Sequence, residues 1–222
     1  MMKKRTASKL LLALMSVMTL AAFSQPVPPA AAASAPDAAR GRQAYAMCAT
    51  CHGVGGESPP SMDAPPLGGQ LPSYVERQLR AYRAGLRGMH PDDVAGNRMR
   101  VLARSLPDEA LIADLAAHIA SLPAVRSDRA ASGNVQAGRK LYQSQCIACH
   151  GASGEGQAAL NAPRAAGLGA QYTFAQLQHF KFDRRAAPGN DLGQQMTQVA
   201  RKALRDERAI RDLVAYLSSL AP

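Results

Sequence analysis

All four cysteines of this 222-residue chain are spent on one pattern used twice: Cys48-Ala-Thr-Cys51-His52 and Cys146-Ile-Ala-Cys149-His150, offset by 98 positions. The offset holds without a gap from Cys48 to Pro65 and from Cys146 to Pro163, keeping Gly53, Gly56, Glu57, Ala64 and Pro65. It holds again at the far end, where Ile112–Leu122 (IADLAAHIASL) lies over Ile210–Leu220 (IRDLVAYLSSL). A chain that repeats both the start and the finish of a segment reads as two tandem copies of one domain. We place them at 37–123 and 133–222. The stretch 124–132 between them follows Pro123 and is small and polar, which is linker chemistry.

Residues 1–24 have the form of an export signal: Lys3, Lys4, Arg5 and Lys9, then an apolar run from Leu10 to Phe23, then small residues before a cut after Ser24 or Ala33. An uncleaved anchor is the competing reading, but the run falls short of the roughly 20 residues that span a bilayer. The Pro/Ala-rich 25–36 reads as an extended tether. Removing the signal lowers the formal charge from +10 to +6, with 22 basic against 16 acidic residues. No Lys/Arg block interleaved with aromatics occurs, so nucleic acid is not an expected partner.

Each copy reads as helical. Leu111, Ile112, Leu115, Ile119 and Leu122 recur at helical spacing, with Pro107 expected in the first turn and Asp108 and Glu109 at the positive end. Tyr74, Val75, Gln78, Leu79 and Tyr82 form a second stripe that ends at Gly85, and further helical stretches lead into Cys48 and Cys146. No alternating run long enough for a buried strand appears. With 5% aromatic residues and no Trp, such small halves need something besides side chains to fill their interiors.

Two cysteines three apart on one turn, followed by histidine, offer two thiols to the vinyl groups of a heme and an imidazole to its iron. A zinc ribbon needs its cysteine pairs close together, which these are not. A redox dithiol needs a sheet context that is missing. Disulfides are the default for an exported chain, yet they leave the repeated histidine unexplained. The reading is therefore two covalently bound heme c groups, held by Cys48 and Cys51 and by Cys146 and Cys149, with His52 and His150 on the irons.

The opposite face of each iron decides the job: a Met thioether raises the potential and closes the site, whereas an open position invites substrate chemistry. The second copy contains one methionine, Met196. Of Met47, Met62, Met89 and Met99 in the first, only Met99 has a methionine counterpart, at an offset of 97. Met99 and Met196 are thus the expected second ligands. His118 aligns with Tyr216 and is expected to pack as a ring; His90 and His179 have no counterparts.

With CATCHG and CIACHG, PPLGGQ, YVERQLRAYRAGLRG and Met99 before LPDEALIADLAAHIAS in place, the chain resembles class I cytochromes c, and its duplication resembles the diheme c4-type family. The resemblance implies an all-α fold of two tandem class I cytochrome c domains, each a small helical bundle around one covalently attached heme. It implies His/Met ligation, Pro65 and Pro163 as carbonyls holding the imidazoles, and helix crossings at Gly41 with His118 and at Gly138 with Tyr216. It also implies electron carriage in the periplasm, often toward a terminal oxidase. The second copy departs from the family in its middle, where HFKFDRRAAPGND replaces the first copy's arginine-rich pattern.

The leading expectation is a periplasmic carrier that is not an enzyme. Its redox partners would be a terminal oxidase, a quinol-oxidising complex or a periplasmic dehydrogenase, with peripheral membrane association open to it. The alternative is the electron-accepting subunit of a dehydrogenase complex. A diheme peroxidase or thiosulfate-oxidising enzyme would need a differently ligated iron. Charge divides unevenly, +1 over 25–126 and +5 over 127–222, and Arg201, Arg205 and Arg208 are spaced as one helical row.

Overall fold

The helix that enters each Cys-x-x-Cys-His motif sets how each half is built. In the computed structural model, which describes residues 35–59, 64–125 and 131–221, α1 (Ala38–His52) is capped by the Asp37 side chain and runs unbroken to His52. The second half uses two pieces, α5 (Val135–Gln145), capped by Asn134, and the single turn α6 (Ile147–His150), with the break at Cys146. Two residues separate Tyr45 from Cys48, but three separate Tyr142 from Cys146. One added residue turns a helix by about 100°, so a continuous helix could not keep both the ring and the thiol inward. The break absorbs the extra residue.

The other described helices are α2 (Pro72–Arg83), α3 (Val94–Arg104) and α4 (Glu109–Ser121) in the first half and α7 (Ala170–Lys181), α8 (Asp191–Ala203) and α9 (Glu207–Ser219) in the second. No strand occurs among the described residues beyond an isolated bridge between Gln157 and Ala162. The fold is all-α, as expected.

Each half closes where its first helix crosses its last, α1 on α4 and α5 on α9. A Cβ at Gly41 would overlap the Asp114 carbonyl, and one at Gly138 the Asp212 carbonyl, so only glycine permits these crossings. The same aspartates fasten the entering chain: Asp37 N donates to Asp114 at 2.6 Å and Asn134 N to Asp212 at 2.7 Å. Beside the crossings, Tyr45 meets His118 edge-on at 5.1 Å and Tyr142 meets Tyr216 at 5.4 Å. His118 therefore packs as the ring its alignment with Tyr216 implied. Ile112, Leu115 and Ile119 are buried in one core, and Ile210, Leu213 and Leu217 in the other.

Several expectations shift. Pro107 lies outside α4, because Asp108 takes the cap position and accepts from Leu111 N at 2.7 Å. Arg201, Arg205 and Arg208 do not share a helix: α8 ends at Ala203, and Asp206 caps a new helix, α9, that carries Arg208. The departure-rich middle of the second half ends α7, the counterpart of α2, at Lys181 and then runs as loop to Asp191, the first residue of α8. The expected signal at 1–24, the tether as far as Ser34, linker residues 126–130 and Met62 lie outside the described residues. Among the described residues no helix is long and apolar enough to cross a membrane.

Candidate heme clefts

Each half contains a cleft lined by the residues that the repeat singled out. Cys48, Cys51, His52, Pro65 and Met99 line the first, together with Met47 and with Leu67, Val75, Leu115 and Ile119. Cys146, Cys149, His150, Pro163 and Met196 line the second, with Leu177, Phe180, Val199, Leu213 and Leu217. Met89, His90, His118 and His179 line neither. With their solvent-open mouths the clefts enclose about 1540 and 1300 Å³.

The motif histidines are aimed by backbone carbonyls: His52 Nδ1 lies 2.9 Å from Pro65 O and His150 Nδ1 lies 3.0 Å from Pro163 O. A carbonyl only accepts, so Nδ1 carries the proton and Nε2 keeps its lone pair. Burial lowers the pKa of both histidines, partly opposed by those bonds, which favours the neutral imidazole that a metal requires. Burial, then the neighbouring thiol, pushes Cys48 and Cys146 up to about 11.

The repeated continuation Gly-x-x-Gly-Glu shapes the turn beyond each histidine. Gly53 and Gly151 take φ of 80° and 84°, and a Cβ on either would strike the carboxylate of Glu57 or Glu155. Those carboxylates accept from Gly55 N and Ser153 N, both at 2.8 Å. Tyr45 and Tyr142 donate their hydroxyls to Gly53 O and Gly151 O at 3.0 and 2.7 Å.

Sequence reasoning missed the wall between the clefts. Tyr74, Gln78, Leu168, Tyr172 and Gln176 line both. Arg87 lines only the first cleft and Arg185 only the second; both are buried. Arg87 stacks on Tyr82 at 4.4 Å and Arg185 on Phe180 at 4.5 Å. The signal was present: an offset of 98 carries Tyr74, Gln78, Tyr82 and Arg87 onto Tyr172, Gln176, Phe180 and Arg185. It was masked because the five residues Gly88–Asp92 face only four at Ala186–Gly189, and the second half's aromatic is Phe rather than Tyr. The Tyr172 phenol, raised by burial, is drawn the other way by Arg185 and Arg87 and ends below its ordinary value.

The halves also join through backbone. Arg164 N donates to Gln70 Oε1 at 2.9 Å, Gln70 Nε2 to Arg164 O at 3.1 Å, and Ala187 N to Leu86 O at 3.0 Å.

These residues fit a heme c in each cleft. The thiols, the aimed imidazole, a methionine and apolar walls face one space in each half. Buried guanidiniums stand in the shared wall with neutral hydrogen-bond partners, and Arg87 Nε, buried, has no partner among the described residues. Buried cations call for anions, and the carboxylates of a heme supply them. By contrast, no group of three or more His, Cys, Asp or Glu among the described residues is placed to hold a bare metal ion.

A family model described as cytochrome c matches residues 38–123 and 135–221. The chain belongs to the cytochrome c family. This cytochrome c is 32% identical over 170 residues to cytochrome c4 of Azotobacter vinelandii, spanning 72% of this chain and 79% of that one. It is 34% identical over 172 residues to a thiosulfate dehydrogenase electron acceptor of Stutzerimonas stutzeri (strain A1501), spanning 72% and 73%. The crystal structure of reduced recombinant cytochrome c4 from Pseudomonas stutzeri superposes with a TM-score of 0.68 at 29% identity, covering 84% of this chain and all of that one. Two tandem cytochrome c domains, with their cysteines at 48/51 and 146/149, carry two covalently bound heme c groups, and the protein is a diheme electron-transfer cytochrome c.

Proposed function

We propose that this cytochrome c carries single electrons in the periplasm toward a terminal oxidase, through two His/Met-ligated sites, with no substrate chemistry of its own. The observation that carries the reading is the pairing within each cleft: His52 with Met99, and His150 with Met196. A bound heme c supplies a one-electron iron couple. Cys48 and Cys51, and Cys146 and Cys149, would hold it through thioethers. His52 and His150 would offer Nε2 to the iron, their rings held by Pro65 and Pro163. Met99 and Met196 would supply a thioether ligand that raises the potential. Arg87 and Arg185 would pair with the heme carboxylates at the shared wall.

The domains we assign to 37–123 and 133–222 each keep one such site, with 124–132 as the linker. Periplasmic placement rests on the export pattern at 1–24, and the basic second half allows peripheral contact with a membrane. Electron donors of the expected kind are a quinol-oxidising complex or a periplasmic dehydrogenase.

The relative named as a thiosulfate dehydrogenase electron acceptor favours a second reading, in which this chain is the electron-accepting subunit of such a dehydrogenase. One experiment separates them. The purified oxidised diheme protein is offered, in turn, a thiosulfate-oxidising dehydrogenase with its substrate and, once reduced, a membrane oxidase with oxygen. Fast oxidation by the oxidase without stable association with a dehydrogenase supports the carrier; a co-purifying dehydrogenase supports the subunit. An oxidised protein without the weak near-infrared band of Met-ligated heme would overturn the ligation.

A further inference from the structure

The two buried arginines of the shared wall meet at one atom. Arg87 comes from the first half, Arg185 from the second, and both donate to Gln176 Oε1: Arg87 through Nη2 at 3.1 Å and Arg185 through Nη1. The repeat would allow a symmetric arrangement, because Gln78 is the counterpart of Gln176. The structure breaks that symmetry, since among the described residues Gln78 Oε1 accepts from Arg87 and not from Arg185. Arg185 also donates to Tyr74 OH, at 2.8 Å, and the Tyr172 phenol hydrogen-bonds both guanidiniums beside the amide.

We propose that Gln176 is a positioning residue for both redox sites, its single amide oxygen aiming Arg87 at the first cleft and Arg185 at the second, so that one side chain sets both reduction potentials. The inference rests on the reading of a heme in each cleft. A guanidinium held in a desolvated wall stabilises the electron-richer state of the neighbouring site, and does so more strongly than it would in water. Two like charges on one wall repel, so each needs an anchor that does not itself neutralise it. A neutral amide oxygen meets that need and leaves both charges acting on their clefts. A carboxylate at this place would hold the arginines equally well but would compete with the heme carboxylates that Arg87 and Arg185 are proposed to take. Removing the acceptor leaves buried donors unpaired, a cost that turns the arginines toward water or another acceptor.

The test uses the full diheme protein with Gln176→Leu, Gln176→Ala and Gln78→Leu. The two potentials are resolved by spectroelectrochemical titration, and heme content and thermal melting are measured alongside. The expected result is a downward shift of both potentials in either Gln176 variant and of the first site alone in Gln78→Leu. If Gln176→Leu does not fold, Gln176→Ala, which admits water, carries the comparison. Potentials that stay at wild-type values, or a shift confined to one site in the Gln176 variants, would overturn the proposal even if the melting temperature falls. Failure of the ligation reading shows elsewhere, as a missing near-infrared band in the wild type.

Discussion

His179 Nε2, on α7, lies 3.8 Å from Asp93 Oδ1 at the head of α3, so an imidazole of the second half faces a carboxylate of the first across their seam. The carboxylate is buried, at 1% exposure, and the imidazole is half-buried, at 14%. Asp93 Oδ1 also accepts from Gly96 N at 2.9 Å, capping the helix that carries Met99. Asp93 Oδ2 and His179 Nδ1 have no partner among the described residues.

This pair predicts a pH dependence. Burial lowers the His179 pKa, the Arg185, Arg184 and Arg87 guanidiniums push the same way, and Asp93 opposes them. The net folded value lies below the ordinary value of about 6.5. The unfolded chain then binds the proton first as pH falls, so the contribution is full above about 6.5 and is lost on acidification toward the folded value. His118 is lowered too, by burial and then Arg42, and shares that window. Thermal melts between about pH 7.5 and 5 should show a shallower loss for His179→Gln, and a shallower one still when His118→Tyr is added. An unchanged slope in the double variant would refute the assignment.

On the proposed ligation, Met196→His should lower the potential of the second site and halve the near-infrared band, because an imidazole would replace one of the two proposed thioether ligands. Met99→His should do the same at the first site. Met89, outside both clefts, should be replaceable by Leu with band and potentials unchanged.

The helix crossings are steric locks. Gly41→Ala places a methyl group against the Asp114 carbonyl, and Gly138→Ala against that of Asp212. Backbone cannot yield as a flexible side chain does, so each change should destabilise its half by about 3 kcal/mol, the upper part of the usual overpacking range. Guanidinium titration followed by heme absorbance reads the loss. Gly55→Ala, where a Cβ would meet only the end of the Glu57 side chain, should cost far less.

Docking should depend on salt. Four heme carboxylates, two per half, would take the +1 and +5 of the halves to about −1 and +3, leaving a dipole along the chain. Arg201 is partly offset by Asp183 at 3.9 Å, whereas Arg205 and Arg208 are exposed. Electron transfer to an acidic partner should slow as ionic strength rises and the Debye length falls to about 10 Å at 0.1 M. Arg205→Gln with Arg208→Gln should flatten that slope more than Arg201→Gln. A wild-type rate indifferent to salt would sink the steering role.

Much of each cleft is legible residue by residue. The offset of 98 selects Cys48, Cys51, His52 and Pro65 with their partners, and elimination among methionines selects Met99 and Met196; all of them line the clefts. Gly41 and Gly138 are legible as crossings through family resemblance alone, and the overlap at each carbonyl supplies the reason. Arg185 and Gln176 were hidden because the first half's arginine pattern is altered around them and a one-residue deletion follows.

The sequence by itself determined the repeat, the helical class, the two attachment motifs and the candidate ligands, because those depend on covalent spacing and on a histidine next in the chain to a cysteine. Tertiary structure alone decided how the halves meet. The convergence of Arg87 and Arg185 on one oxygen of Gln176 and the facing of His179 and Asp93 both depend on which groups share a desolvated wall once both halves have packed. No local propensity encodes such a wall; it arises from the burial of charges and amides whose partners lie about 90 residues away along the chain.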